Sequence, residues 1–253
     1  MLGARTLHGG ARRVAPTGVK RDISLAAIVA KLGGFGGPTV SKDLKVPPKI
    51  PTVTKLEWSS PLKVVKYPDP RLRAVNAKVG VFDESLMQLA KEMIAVMYTD
   101  DGVGLAAPQV GVNVRVMVFN PVGREKPGNE VILVNPEIMS QSGPRGTLEE
   151  GCLSFPKIFG EVDRPTDIVV KAQNEKGEAM QLKLGGPTDE GVWLSRIFQH
   201  EYDHLQGILF HDRMGKDVVT GVRERLVAME EEFVAANPGV KVQRLPAPKK
   251  PGF

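Results

Sequence analysis

Two histidines stand four apart in the run His200-Glu201-Tyr202-Asp203-His204. On a helix that spacing brings their β-carbons to roughly 5–6 Å, so both imidazoles can hold one ion. Glu201 is turned about 100° from His200. It cannot share that face as a ligand, but it can reach a water at the ion, which is the place of a general acid and base. A catalytic ion of this kind keeps three protein ligands and one open position. The third ligand is to be drawn from His211, from a carboxylate such as Asp212 or Glu230, or from Cys152. Of these, Cys152 alone sits in surroundings with a chemical logic of their own. In Glu150-Gly151-Cys152-Leu153-Ser154, Gly151 lets backbone pass close to the ion, and the main-chain N–H of Leu153 can face a developing oxyanion. A thiolate ligand also accounts for a cysteine placed in a turn-like segment rather than an apolar run. It is the chain's one cysteine, so no internal disulfide can form.

Gly102-Val103-Gly104-Leu105-Ala106-Ala107-Pro108-Gln109 is the third segment with chemistry in it. It scores as a dinucleotide fingerprint, but that motif follows a strand and opens a helix, whereas this one follows a helix; the cofactor reading is rejected. What remains is either a plain glycine-rich turn or a chemical role in which Gln109 offers a neutral amide N–H to a tetrahedral oxyanion.

The elements that must position these groups follow from periodicity. Leu86, Leu89, Ala90, Met93 and Met97 recur at helical spacing behind Asp83 as N-cap, predicting an amphipathic helix that ends near Gly102. Short β-prone runs at 114–119, 131–134, 168–172 and 180–184 predict strands of a mixed or antiparallel sheet. A second helix is expected from Thr188 or Asp189 to Leu205, closed by Gly207, with Trp193, Ile197, His200 and His204 on one inward face. A last helix over about 217–236 carries Val222, Leu226, Met229 and Phe233. Strands first, with long helices to one side of them, predict an α+β fold with mixed or antiparallel sheets packed around the central metal-binding helix and a helix at each end.

Charge divides the chain of 253 residues unevenly. Up to Pro61 there are ten Lys and Arg against three Asp and Glu, while the rest carries 24 against 26. The basic balance therefore belongs to the leader, and a near-neutral body gives no reason to expect direct nucleic-acid binding. Residues 1–61 read as an organellar transit peptide or disordered leader, 62–236 as the catalytic domain, and 237–253 as a flexible tail rich in Pro and Lys. The apolar stretch 23–30 is too short, behind too long a basic lead, for a secretory signal. No stretch approaches the roughly twenty apolar residues of a membrane span, so a soluble protein is expected.

Taken together, the runs from Gly102 to Gln109, from Glu150 to Ser154 and from Gln199 to Leu205 resemble, in order and spacing, the three signature motifs of the peptide deformylase family. The resemblance extends from about Leu62 to about Met214, and Glu150-Gly-Cys-Leu-Ser-Phe-Pro156 is similar to the plastid and mitochondrial form of plants and algae. It implies Cys152, His200 and His204 as metal ligands and Glu201 as acid and base. Gln109 and the Leu153 N–H would bind the oxyanion, the Gly104 carbonyl would hold the substrate, and Arg164 would pair with Glu150 to brace the cysteine. The implied activity is removal of the formyl group from formyl-methionine of nascent organelle-made polypeptides. One divalent ion is implied, Fe(II) first and Zn(II) next, with Co(II) and Ni(II) also admitted by the ligand set. The further expectations are a transient organellar ribosome contact, a monomer or homodimer, and a plastid rather than a mitochondrial address. One departure from the family pattern is Gly185 to Gly191, several residues long, which leaves the start of the metal helix and the nearby pocket wall open. An H-E-x-x-H peptidase and a structural zinc module are the rival readings. The first would take its third ligand from beyond His204, and the second would need a fourth protein ligand.

Overall fold

The computed structural model describes residues 50–247; residues 1–49, which hold most of the basic leader, and 248–253 lie outside them. The first pairing is parallel, β1 (Thr52–Val53) against β2 (Lys78–Val79). Leu56 is buried, and Val53 and Trp58 pack on the first core cluster. Residues 50–61 therefore pack with the folded body. Single apolar residues separated by Pro, Thr and Lys carry too weak a pattern to read as structure, yet each finds a place once the core exists.

Helix α1 (Glu84–Thr99) forms as expected, with the Asp83 carboxylate accepting the Ser85 N–H at 2.9 Å and the predicted apolar stripe fully buried. Then come β3 (Gly104–Ala106), β4 (Val116–Phe119), β5 (Val131–Cys152), β6 (Phe155–Gln173) and β7 (Ala179–Leu184). These five form one antiparallel sheet in chain order. Glycines 104 and 102 thus lead into a strand, not a simple turn.

The largest departure is in β5 and β6. The sequence shows two short pieces, 131–134 and 168–172, but the strands run 22 and 19 residues as a single long hairpin whose turn is Leu153-Ser154. Register shifts at Val134/Glu137, Ile138/Ser140 and Ser142/Arg145 explain the difference. Each shift puts an extra residue in β5 and flips the face that follows, so β5 loses its two-residue alternation while the ladder continues; β6 keeps its alternation, but its buried places include Gly160 and Arg164, which do not read as an apolar face.

β4 is buried throughout, and its alternation sorts the core. Val116 and Val118 face α1 with Leu105 and Met93, whereas Met117 and Phe119 face α2 (Asp189–Leu205) with Ile197, Phe198 and Leu182. Helices α1 and α2 therefore cover opposite faces of the sheet, not one side as the strand-then-helix order suggested. A third cluster gathers Tyr67, Phe155, Ile158 and Val162 against the short α3 (Phe210–Arg213) and against Leu226 of α4 (Lys216–Ala236).

The Thr188 hydroxyl caps α2 by accepting the Gly191 N–H at 3.1 Å, and Gly207 follows its end at φ 68°, the left-handed geometry glycine adopts most easily. The long 185–191 segment leaves the helix start where the sequence puts it. Beyond Ala236 the chain turns back along α4: the Leu245 N–H donates to Glu230 Oε1 at 2.8 Å, and Arg223 donates to the Pro246 carbonyl. Leu245 and Pro246 are thus tied to α4. No described helix is long and apolar enough to cross a membrane.

Candidate metal centre

The site forms where the tip of the β5–β6 hairpin meets the last two turns of α2. Cys152 is the final residue of β5, paired with Phe155 across the Leu153-Ser154 turn. His200 and His204 stand on the α2 face that carries Ile197, as their spacing predicts. Sγ of Cys152 and one ring nitrogen of each histidine lie within 4.8 Å of one another, and Sγ is 3.3 Å from His204 Nε2. Among the described residues no other group of His, Cys, Asp or Glu converges in this way. The alternative third ligands are engaged elsewhere. His211 packs on Tyr67 and Phe155, Asp212 is held by Arg73 at 2.6 Å, and Glu230 takes the Tyr67 hydroxyl.

Behind the ligands lies a buried ionic network. Glu150 accepts both Nε and Nη2 of Arg164, at 2.6 and 2.9 Å, and Nη1 of Arg196 at 2.7 Å. Its second oxygen also lies 2.9 Å from His200 Nδ1. That bond fixes the ring so that Nε2 is the nitrogen left for a metal. Burial opposes ionisation of Glu150, but Arg164 and His200 outweigh it and hold the carboxyl far below the usual range. Arg164 also donates to Asp203 at 2.7 Å, and Arg213 holds Asp203 from outside at 3.0 Å. The Arg164–Glu150 pair was expected; Arg196 and Asp203 were not. Arg196 stands one helical turn before His200, on the same face, and that spacing is the signal by which it was legible.

The side that faces β3 differs. Glu201 is 4% exposed and its Oε2 has no hydrogen-bond partner. Burial pushes its carboxyl up to about 7, against the opposing charge of His200. A Cβ on Gly104 would overlap the Glu201 carboxylate, so only glycine lets β3 run this close. Gln109 is 1% exposed, in a short 3-10 helix that follows β3. Its Oε1 accepts the Ala106 N–H at 2.8 Å, which turns its NH₂ group toward Cys152 Sγ at 3.5 Å and Ser154 Oγ at 3.4 Å. Ser154 is a site residue that sequence reasoning missed.

A cavity of about 530 Å³ opens here, lined by Gly104, Leu153, Trp193, Ile197, His200 and Glu201 among others. The arrangement is thus one cysteine sulfur and two imidazole donors at one point, a buried carboxylate with one oxygen unpartnered beside them, and polar N–H groups at the edge of an apolar hollow. A soft-to-borderline divalent metal fits that donor set.

The family model for polypeptide deformylase matches residues 61–219. The chain is 47% identical over 209 residues to the chloroplastic peptide deformylase 1B of Oryza sativa subsp. japonica, covering 83% of this chain and 75% of that protein. With the chloroplastic/mitochondrial peptide deformylase 1B of Arabidopsis thaliana it shares 46% identity over 185 residues, 73% of this chain and 66% of that one. A plant peptide deformylase crystal structure superimposes with a TM-score of 0.70 at 44% identity, over 76% of this chain and 100% of the other. The Plasmodium falciparum peptide deformylase gives 0.65 at 39%, over 69% and 98%.

Proposed function

The chain belongs to the polypeptide deformylase family, metal-dependent enzymes that remove the N-terminal formyl group from nascent polypeptides, and from that premise we propose how its own residues perform the reaction. Cys152, His200 and His204 hold one divalent ion. The observation that carries this is their convergence within 4.8 Å beside the cavity. Bound there, the ion would supply Lewis acidity to the formyl oxygen and lower the pKa of the attacking water. Glu201 takes the proton of that water and later gives it to the departing amine. A carboxyl held near neutrality by burial is matched to both transfers. Gln109 Nε2 and the Leu153 N–H bond the oxyanion of the tetrahedral intermediate, and the fixed Ala106 contact means that Gln109 needs no reorientation to do so. The Gly104 carbonyl holds the substrate, and the apolar wall of Trp193, Ile197 and Leu153 receives the methionine side chain. Glu150 and Arg164 keep the His200 ring and the cysteine strand in register.

The ion is Fe(II), with Zn(II) as the second choice; the mixed sulfur and nitrogen donor set supports both. The plant relatives are named chloroplastic or chloroplastic/mitochondrial, which supports an organellar address for this chain. Of the two organelles the plastid is favoured, with residues 1–61 containing the transit segment. The substrate partner is the formyl-methionine end of a nascent chain, met during transient contact with an organellar ribosome, and the enzyme acts as a monomer or homodimer. The test is formate release from a formyl-methionine peptide beside an internal-peptide control, on protein made without oxygen and with bound metal quantified in the same sample. Formate release that tracks one metal per chain is expected. Cleavage of the internal peptide, or turnover in metal-free protein, would overturn the reading.

A further inference from the structure

Three consecutive residues ahead of the first helix bond to both walls of the proposed oxyanion site. The Val65 N–H donates to the Gln109 carbonyl at 2.7 Å, and the Tyr67 N–H donates to the Ser154 carbonyl at 3.0 Å. Between them, the Lys66 ammonium donates to the Leu153 carbonyl at 2.8 Å. Val65 and Tyr67 are buried in the third core cluster, and Tyr67 is tied by its hydroxyl to Glu230 of α4. Lys66 faces the other way, 44% exposed at the rim of the cavity, with Asp100 3.7 Å from its nitrogen. In an extended segment the two buried neighbours fix the direction of the residue between them. Its reach to Leu153 is therefore set by the core.

We propose that Lys66 is a positioning residue for deformylation, which holds the Leu153-Ser154 turn so that the Leu153 N–H stays aimed at the oxyanion. The inference rests on the oxyanion role assigned above to Leu153 and Gln109. The side chains of this turn are already held, Leu153 against the first core cluster and Ser154 fully buried beside Gln109. The Tyr67 amide and a charged donor fix its two carbonyls, and so the peptide planes on either side of Ser154; the plane that carries the Leu153 N–H is joined to the first of these through the Leu153 α-carbon. The ammonium also lies on the carbonyl of the residue whose N–H meets the developing negative charge, so its field favours the transition state over the neutral ground state. Positioning of this kind acts on kcat, because the ground-state substrate carries no oxyanion to bind.

The test uses the metal-loaded full chain as Lys66→Met, Lys66→Arg and Gln109→Leu, with kcat and KM on a formyl-methionine peptide, metal stoichiometry and thermal midpoint. Lys66→Met is expected to lose about five- to twenty-fold in kcat, the scale of one partly exposed charge-assisted bond, with KM within about twofold. Metal content and thermal midpoint should match the parent, and Lys66→Arg should recover at least half of the loss. An unchanged kcat in Lys66→Met, a loss confined to KM, or a loss that follows metal content would sink the proposal. Gln109→Leu separates the two levels. If it loses kcat while Lys66→Met does not, the Lys66 role alone is wrong; if it keeps full kcat, the oxyanion reading fails and the Lys66 role with it.

Discussion

On the hairpin side of α2, Glu150 accepts from Arg164, Arg196 and His200, and Asp203 is held by Arg164 and Arg213. On the β3 side of the same helix, Glu201 has an oxygen with no partner at all. Both carboxylates are buried, at 7% and 4% exposure. Their environments nevertheless drive them in opposite directions, Glu150 far below the ordinary range and Glu201 up to about 7. A carboxylate that must stay charged and fixed is surrounded by cations; one that must exchange a proton is left dry and unpaired. On the proposed mechanism the helix thus separates a side that holds geometry from a side that does chemistry, one residue apart in sequence at His200 and Glu201.

Four changes test that division. The largest effect is expected from Cys152→Ala, which should abolish both metal retention and turnover, read by metal analysis and formate release; retained metal would return the third ligand to a residue beyond His204. Glu201→Gln should keep its metal and lose about 10²–10⁴-fold in kcat, and near-normal turnover would remove the acid and base role. Arg164→Leu acts on the other side: it strips Glu150 and Asp203 of their shared cation. It should destabilise the protein by about 3–5 kcal/mol in chemical denaturation and weaken metal affinity by about 10–100-fold. A variant that loses kcat at saturating metal with normal stability would show that the two sides are not separate.

The finest test is of sign, on metal-free protein. Glu201 has a folded pKa above its unfolded value, so its ionisation disfavours the folded state at alkaline pH, and that penalty fades as pH falls from about 7 toward its ordinary 4.5. Metal-free Glu201→Gln should accordingly be more stable than its parent at pH 8, by about 3 kcal/mol, with most of that gain lost by pH 5 and the rest below 4.5. Glu150 has the opposite shift, so its stabilisation is present above its unfolded pKa and lost as acid approaches the folded one. Glu150→Gln should therefore be less stable than its parent at pH 8. If both variants moved the same way, the contrast drawn from their surroundings would be wrong.

Local rules carried much of this in the sequence. Asp83 and Thr188 are N-caps, Gly207 ends the metal helix, and the four-residue step from His200 to His204 puts two imidazoles on one apolar face, because helical geometry depends on neighbours a few residues apart. What no local pattern held was decided by contacts across the chain. The hairpin hid its length because register shifts broke the alternation of β5, while the inward places of β6 include Gly160 and Arg164. Residues 50–61 and 237–247 offered only scattered apolar groups whose partners lie far away in sequence. Cys152 was one of several candidate ligands until the fold brought the hairpin tip to the helix and gave His211, Asp212 and Glu230 other work. Residue types determined which chemistry was possible; the tertiary structure decided which carboxylate is shielded by arginines and which is left free to take a proton, because burial and charge at a point sum over every element packed around it.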